Sequence, residues 1–573
     1  MAPLFGRPLF RLVAVVAAML ALELPANTAP LPPRDGVLDY ESGNLLSLRD
    51  GTVNVAGGNF LHSRRDLTLD TRLGPVAVGA VYNSKGNYWL FDYDAVYIGG
   101  FFLDPTGALH SINGLPDGTT IAGTTWVKVS ATAVKTKGGL LFEFSPSTGR
   151  LLSMRWTSST YPQIQYVQGV VAGQDVTTSI RQCTSATACT TLFTIEYNVS
   201  ALPIQVTDLA GRVVSYAYTG TTLTTAKDGL DNAKGWAGTR YEYSATTGRI
   251  SAITNSENER WEILSDSQGR ILQTKGIGGG DPTTTYSYSD LVNGAYTTTV
   301  IDPLGHSWFY VYDGTRRLLS STTPEGDTQS STWNGLRPAT TTDAAGIQTG
   351  FTYTNDDLTM IAEPSGNYIQ VYYAPNAVNR ENPLARPLES VASSSAASCP
   401  AYPCTLQWGY GYDSAGRLTQ KTEFVPAVGL GTAVTSFVYD SEEMISKITF
   451  PGGSRSIYLR SYGVHGKPAE VSPDNTNWAL FNYDSVGNLR FSPTPTPNGQ
   501  GVVLRTYDAD RNVVDEQVRS FDAGLTPNST LQSITFTYRS DGQPSSVLPP
   551  YGGNTTWSYD ALGRPISSTE QVS

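Results

Sequence analysis

The four histidines, His62, His110, His306 and His465, are the side chains best suited to move protons near neutral pH, and they lie in four separate stretches. A histidine-based triad or a zinc site needs such groups gathered, and neither HExxH nor GxSxG occurs. Each histidine therefore reads as a surface or strand residue. Two acidic groups come closer to a site. Asp92 and Asp94 sit in FDYD, and Asp508, Asp510, Asn512 and Asp515 form a D-x-D-x-N-x-x-D run. The run resembles the start of a calcium loop, but Val513 stands where that loop needs glycine and no Glu follows at the twelfth place. It reads as turn chemistry. Paired carboxylates could serve a glycosidase, yet nothing in the sequence marks one with a raised pKa. The run GIGGGD from Gly276 lacks the Lys-Ser/Thr of a phosphate loop and reads as a flexible loop. Trp89 and Trp126 are candidates for stacking on sugar rings. No catalytic, cofactor-binding or metal-ligating residue is assigned, and no cofactor is expected.

The four cysteines form two close pairs, Cys183 with Cys189 and Cys399 with Cys404. In an exported chain such pairing predicts two short disulfide loops at hairpin tips. A four-cysteine metal site is the rival, but neither pair has metal-knuckle spacing.

These residues are held by a repeat. YDSAGRL at Tyr412, YDSVGNL at Tyr483 and YDALGRP at Tyr559 are its clear copies, and YDADRNV at Tyr507 and YDGTRRL at Tyr312 are degenerate ones. The copies end short runs with aromatics two apart, such as Tyr410/Tyr412, Phe481/Tyr483 and Trp557/Tyr559. Spacing of two puts both rings on one face of a strand, whereas a helix would throw them apart. After the tyrosine, Asp413 to Gly416 and Asp560 to Gly563 fit a type I turn, with Asp capping backbone N–H groups and Gly taking φ > 0. Arg417 and Arg564 then begin the returning strand, and Asp484 with Gly487 repeats the pattern. Each unit is thus an antiparallel hairpin. A second turn alternates with the first: Gly305, Gly326, Gly346 and Gly366 recur about every 20 residues, each seven before an aromatic. Two turns per period mean two strands per repeat. A β-propeller is the rival architecture, but its blades need four strands and about 40 residues each.

Composition agrees. Charged residues are only 16% of the 573, while Gly (56) and Tyr (32) are abundant, a mixture that favours strands and turns. The net charge of -11, with Lys and Arg scattered and no basic patch, argues against nucleic-acid binding. At the N-terminus, Arg7 and Arg11 precede the apolar run Leu12 to Leu22, and small residues follow at Ala26 and Ala29. Eleven apolar residues are too few to cross a bilayer, so a cleaved export signal over 1–29 is expected, with no stable membrane span afterwards. The protein is expected to be secreted, periplasmic or at the cell surface.

The Tyr-Asp-x-x-Gly-Arg-Leu unit resembles the repeat of the RHS and YD-repeat proteins, which include bacterial RHS elements, wall-associated antigens and the teneurins. DGTVNVAGGNFLHSRRDLTLDT from Asp50, VYNSKG at Val81 and FDYD at Phe91 resemble the leading domain of bacterial RHS proteins. The resemblance implies an all-β architecture: a β-rich leader domain over 36–140 and a repeat array over 141–573 whose hairpins form a spiralling sheet or partial shell. It further implies an exported scaffold in interbacterial competition or cell-surface interaction. The second reading is a carbohydrate-binding adhesin, with glycans or cell-surface components as partners, and the third a polysaccharide-acting enzyme. No variable tail follows the YDALGRP unit. The expectation is therefore a shell without its own effector, with a C-terminal effector or further repeats as possible partners, and a final strand edge prone to self-association.

Overall fold

The computed structural model describes residues 45–48, 51–105, 108–277, 282–374, 377–379, 382, 385–394, 406–424, 432–496, 499–521, 527–559 and 565–571. The expected export signal over 1–29, Cys399, Cys404, Asp560, Gly563 and Arg564 lie outside them.

The chain is all-β, built as antiparallel meanders in which nearly every strand pairs with its sequence neighbours. The leader opens with a five-stranded sheet from Leu45–Leu48 to Tyr88–Phe91, followed by a three-stranded one over Val96–Ile98, Phe101–Leu103 and Leu109–Ser111. A single long sheet then runs strand by strand from Trp126–Ser130 to Ala479–Leu480. Eight more strands, from Asn482–Tyr483 to Pro565–Glu570, make a separate sheet. One helix is described, Gly229–Lys234, capped by the Asp228 side chain on the Asp231 N–H and closed by Gly235 at φ 70°.

Alternation explains the strands. Val213–Thr219 buries Val214 and Tyr216 on one face and leaves Ala217 exposed on the other, the pattern of a sheet with one dry side. What covers that dry side is the leader. One core joins Val53, Phe60, Leu67, Val78 and Tyr82 of the leader to Trp156, Phe193, Tyr216, Tyr241, Trp261 and Tyr312 of the long sheet. The backbones touch as well: the Ile271 N–H donates to the Gly58 carbonyl at 2.8 Å. Gly58 has φ 70°, and a Cβ there would lie 2.7 Å from the Tyr288 hydroxyl, so both conformation and closeness require glycine.

The cover stops part-way. The face carrying Tyr310 continues through Ser321, Gln329, Thr341 and Phe351 by successive register pairs and two-residue steps. The strands from Leu318–Thr322 to Gln348–Thr354 have no buried residue on either side. Burial resumes in a second, smaller core of Ile361, Ile369, Leu388 and Val391.

Candidate functional site

The repeat motif is a set of interlocking contacts. At the Tyr412 copy, the Asp413 carboxylate accepts from the backbone N–H groups of Ala415 (3.0 Å) and Arg417 (2.9 Å), and from Arg417 Nε at 2.7 Å. Gly416, at φ 76°, donates its N–H to the Asp413 carbonyl. The Arg417 guanidinium then lies over the Tyr439 ring, 4.7 Å from its centre, and the Tyr439 hydroxyl donates to the Leu418 carbonyl at 2.7 Å. Each motif thus grips the tyrosine of the next. Tyr412 bonds the Leu388 carbonyl, Tyr507 bonds that of Leu489 in the Tyr483 copy, and Trp333 Nε1 bonds that of Leu318. Asp484 caps the Val486 and Asn488 amides, Gly487 has φ 89°, and the Tyr483 ring packs at a tilt against His465, 4.9 Å between centres. Tyr559 bonds the Pro544 carbonyl beneath Arg539.

The histidines are not brought together. His62 is buried against the Tyr241 hydroxyl (3.1 Å), and His110 is buried against Asp104 (2.9 Å). His306 is exposed on its turn partner Asp302, and burial beside Lys467 holds His465 below the usual histidine range. Cys183 and Cys189 form a disulfide that closes the hairpin of Gln174–Cys183 and Cys189–Tyr197, as the pairing predicted.

The acidic run does not converge either. Asp508 caps its own turn, Asp510 reaches to the Leu230 N–H, and Asp515 bonds Gln517 and Ser533. No cluster suited to a metal ion is found among the described residues. Asp94 forms an ion pair with Arg150 at 3.0 Å, and burial pushes its carboxyl up to about 6 against that pull.

Sequence reasoning missed the buried polar network that seats the leader. Arg64 donates to Asp66 Oδ1 through Nε (2.9 Å) and Nη2 (2.6 Å) and to the Tyr241 hydroxyl through Nη1 (3.0 Å). The Tyr216 hydroxyl donates to Asp66 Oδ2 at 2.7 Å. Burial and the Asp66 charge hold the Tyr216 hydroxyl well above its usual value, so it stays a donor. The alternation R-R-D in the leader was the visible signal, since a charged pair two apart on a strand shares one face.

Beside this network lies an aromatic cleft of about 440 Å³ between the leader strand Tyr88–Phe91 and the hairpin of Val213–Thr219 and Thr222–Lys227. Its walls include Tyr82, Tyr88, Trp89, Phe91, Tyr218 and Tyr243, joined by Asn87, Thr221 and Thr222, and no charged side chain lines it. Trp89 is fixed by its indole N–H on the Tyr243 hydroxyl at 3.0 Å and by an edge contact to Tyr241. Trp126, by contrast, is buried between Phe102 and Phe142 and offers no surface.

No family model and no curated protein matches the chain. Among solved structures it is similar to the Photorhabdus luminescens Tc holotoxin pore, at 12% identity over 90% of this chain and 29% of that one, with a TM-score of 0.35. It is also similar to the TcdB2-TccC3-Cdc42 crystal structure, at 9% identity over 90% of this chain and 34% of that one, with a TM-score of 0.38. A porin-like protein from Bacteroides uniformis matches half of the chain at 12% identity and a TM-score of 0.13. The chain spans about a third of the length of the first two. At TM-scores this low, the architecture rests on the strand registers themselves.

Proposed function

We propose that the chain is an exported structural scaffold of an RHS-type system, acting in interbacterial competition or at a cell surface. The observation that carries this reading is the partial cover of the long sheet. The leader fills one stretch of the dry face, and beyond Tyr312 the same face presents half-buried Trp333, Phe351 and Tyr353 among serines and threonines. A wall that is filled along one stretch and open along the next suits holding another polypeptide. The four histidines lie apart, each with its own local partner, which gives hydrolysis little support. The test is electron microscopy of the purified chain with limited proteolysis of whole cells and medium. A scaffold gives a hollow, protease-resistant particle in the exported fraction. A filled globule, or a protein retained in the cytoplasm, would overturn the proposal.

The aromatic cleft favours a second reading, the binding of neutral sugars. Pyranose rings stack on tyrosine and tryptophan faces, and the amide and hydroxyls of Asn87, Thr221 and Thr222 can meet ring hydroxyls. Glycan-array binding lost on Tyr218→Ala and Tyr88→Ala would support it. Equal binding by both variants and the parent would sink it.

A further inference from the structure

Three parts of the chain meet at the helix Gly229–Lys234. Asp228 Oδ1 caps it by accepting the Asp231 N–H at 2.8 Å. The neighbouring Leu230 N–H turns instead to Asp510 Oδ1, at 3.2 Å, on a turn of the eight-stranded sheet. The two backbones are close: a Cβ on Gly229 would lie 3.4 Å from the Ala509 carbonyl, which accepts from Arg212 Nη1 at 2.8 Å. Asp231 takes the Ser256 hydroxyl, and Asp508 stands at the start of the opposing turn.

The cations around this contact are committed elsewhere. Arg64 faces Asp228 but is bound to Asp66 and Tyr241. Arg212 holds Asp208, Ala509 and the Thr68 carbonyl. Arg511 turns away to Asp70 and Asn488. Tyr538, neutral in the ordinary range, faces Asp508. Among the described residues no salt bridge reaches Asp228 or Asp510, although both are largely enclosed by the interface.

We propose that this contact is a proton-operated latch: the turn carrying Asp510 stays docked on the helix while that carboxyl keeps its proton, and lets go as the proton leaves. Burial, then the charges of Asp228 and Asp508, push Asp510 up to about 8, and burial with Asp231 pushes Asp228 up to about 6. The sign follows directly. An acid that titrates higher when docked than when free, where its value is near 3.8, favours docking fully below that lower value. The preference fades as pH rises and is gone above about 8. Arg511–Asp70 and Arg539–Glu259 hold the same sheet at other points, so the release is local.

Hydrogen exchange of the full chain between pH 6 and 9, corrected for intrinsic rates, tests this through the amides of 229–232. If one proton controls the contact, opening increases by about tenfold per pH unit from 6 to 8. Asp510→Asn, which keeps an acceptor for Leu230 without a charge, flattens that dependence and stays protected at pH 9. Asp228→Asn removes part of the crowding and moves the end of the release to lower pH. An Asp510→Asn protein with the parent's pH slope, or a parent with none, would overturn the latch. So would recovery of protection at pH 9 on adding millimolar calcium, because the cluster would then be a cation site.

Discussion

Replacing Asp66 by Asn should loosen the seat of the leader more than any surface change. The carboxylate holds both Nε and Nη2 of Arg64 and receives the Tyr216 hydroxyl, with side chains only 8% and 2% exposed for Arg64 and Asp66. Removing the negative partner leaves a guanidinium enclosed by Tyr216 and Tyr241, and breaking such a buried pair costs about 3–5 kcal/mol. At about 1.36 kcal/mol per decade, opening of the leader from the long sheet should become roughly two to nearly four orders of magnitude more frequent. Global unfolding is a poor gauge, because a long array need not melt as one unit. Hydrogen exchange resolved over 60–71 and 213–219 reads the effect directly. The double variant Arg64→Met with Asp66→Leu removes both charges and should recover most of the loss. A single variant within about 1 kcal/mol of the parent, or a double variant as open as the single one, would refute the reasoning.

Tyr439→Phe keeps the ring under Arg417 but deletes the bond to the Leu418 carbonyl, and should cost about 1 kcal/mol in protection of the flanking hairpins by hydrogen exchange. Gly416→Ala should lower the hydrogen-exchange protection of its flanking hairpin by clearly more than Gly326→Ala lowers that of its own. Both have positive φ, worth about 1–2 kcal/mol, but only at 416 would the new Cβ meet backbone, 2.8 Å from the Val378 nitrogen. Burial opposes ionisation of Asp413, but the Arg417 amide and guanidinium outweigh it and hold the carboxyl below its usual 3.8. Its contribution is therefore present above that value and lost as pH falls through the lower folded one, so Asp413→Asn should flatten the acid-side loss of hydrogen-exchange protection in its own hairpin. Reducing Cys183–Cys189 should loosen the hairpin it closes by about 2 kcal/mol, read as faster exchange over 176–183.

The repeating hairpin was legible because its determinants are local. Aromatics two apart and an Asp-to-Gly turn lie within a few residues of each other, and at Tyr412 to Arg417 the geometry follows the spelling. The partner of each tyrosine hydroxyl was not legible, since the accepting Leu388 or Leu418 carbonyl has no side-chain signature. The role of Asp510 was hidden for a different reason. Its run reads as a turn, which Asp508 makes, while Asp510 serves a helix 280 residues earlier. Likewise, strand alternation marks Tyr216 and Tyr241 for a dry face, but nothing near them says that a leader strand some 150 residues upstream supplies the other half of the core.

That leader has a consequence for biosynthesis. Asp70 finds Arg511 across 441 residues, so at ordinary synthesis rates of about 5–20 residues per second the leader waits between about 20 and 90 s for its last contact. Throughout that interval Asp70 lacks its Arg511 partner, and the turn that carries Arg511 cannot yet close on the leader. The leader is therefore seated in stages, on the long sheet first and on the eight-stranded sheet last, which ties its final fixing to strands made late.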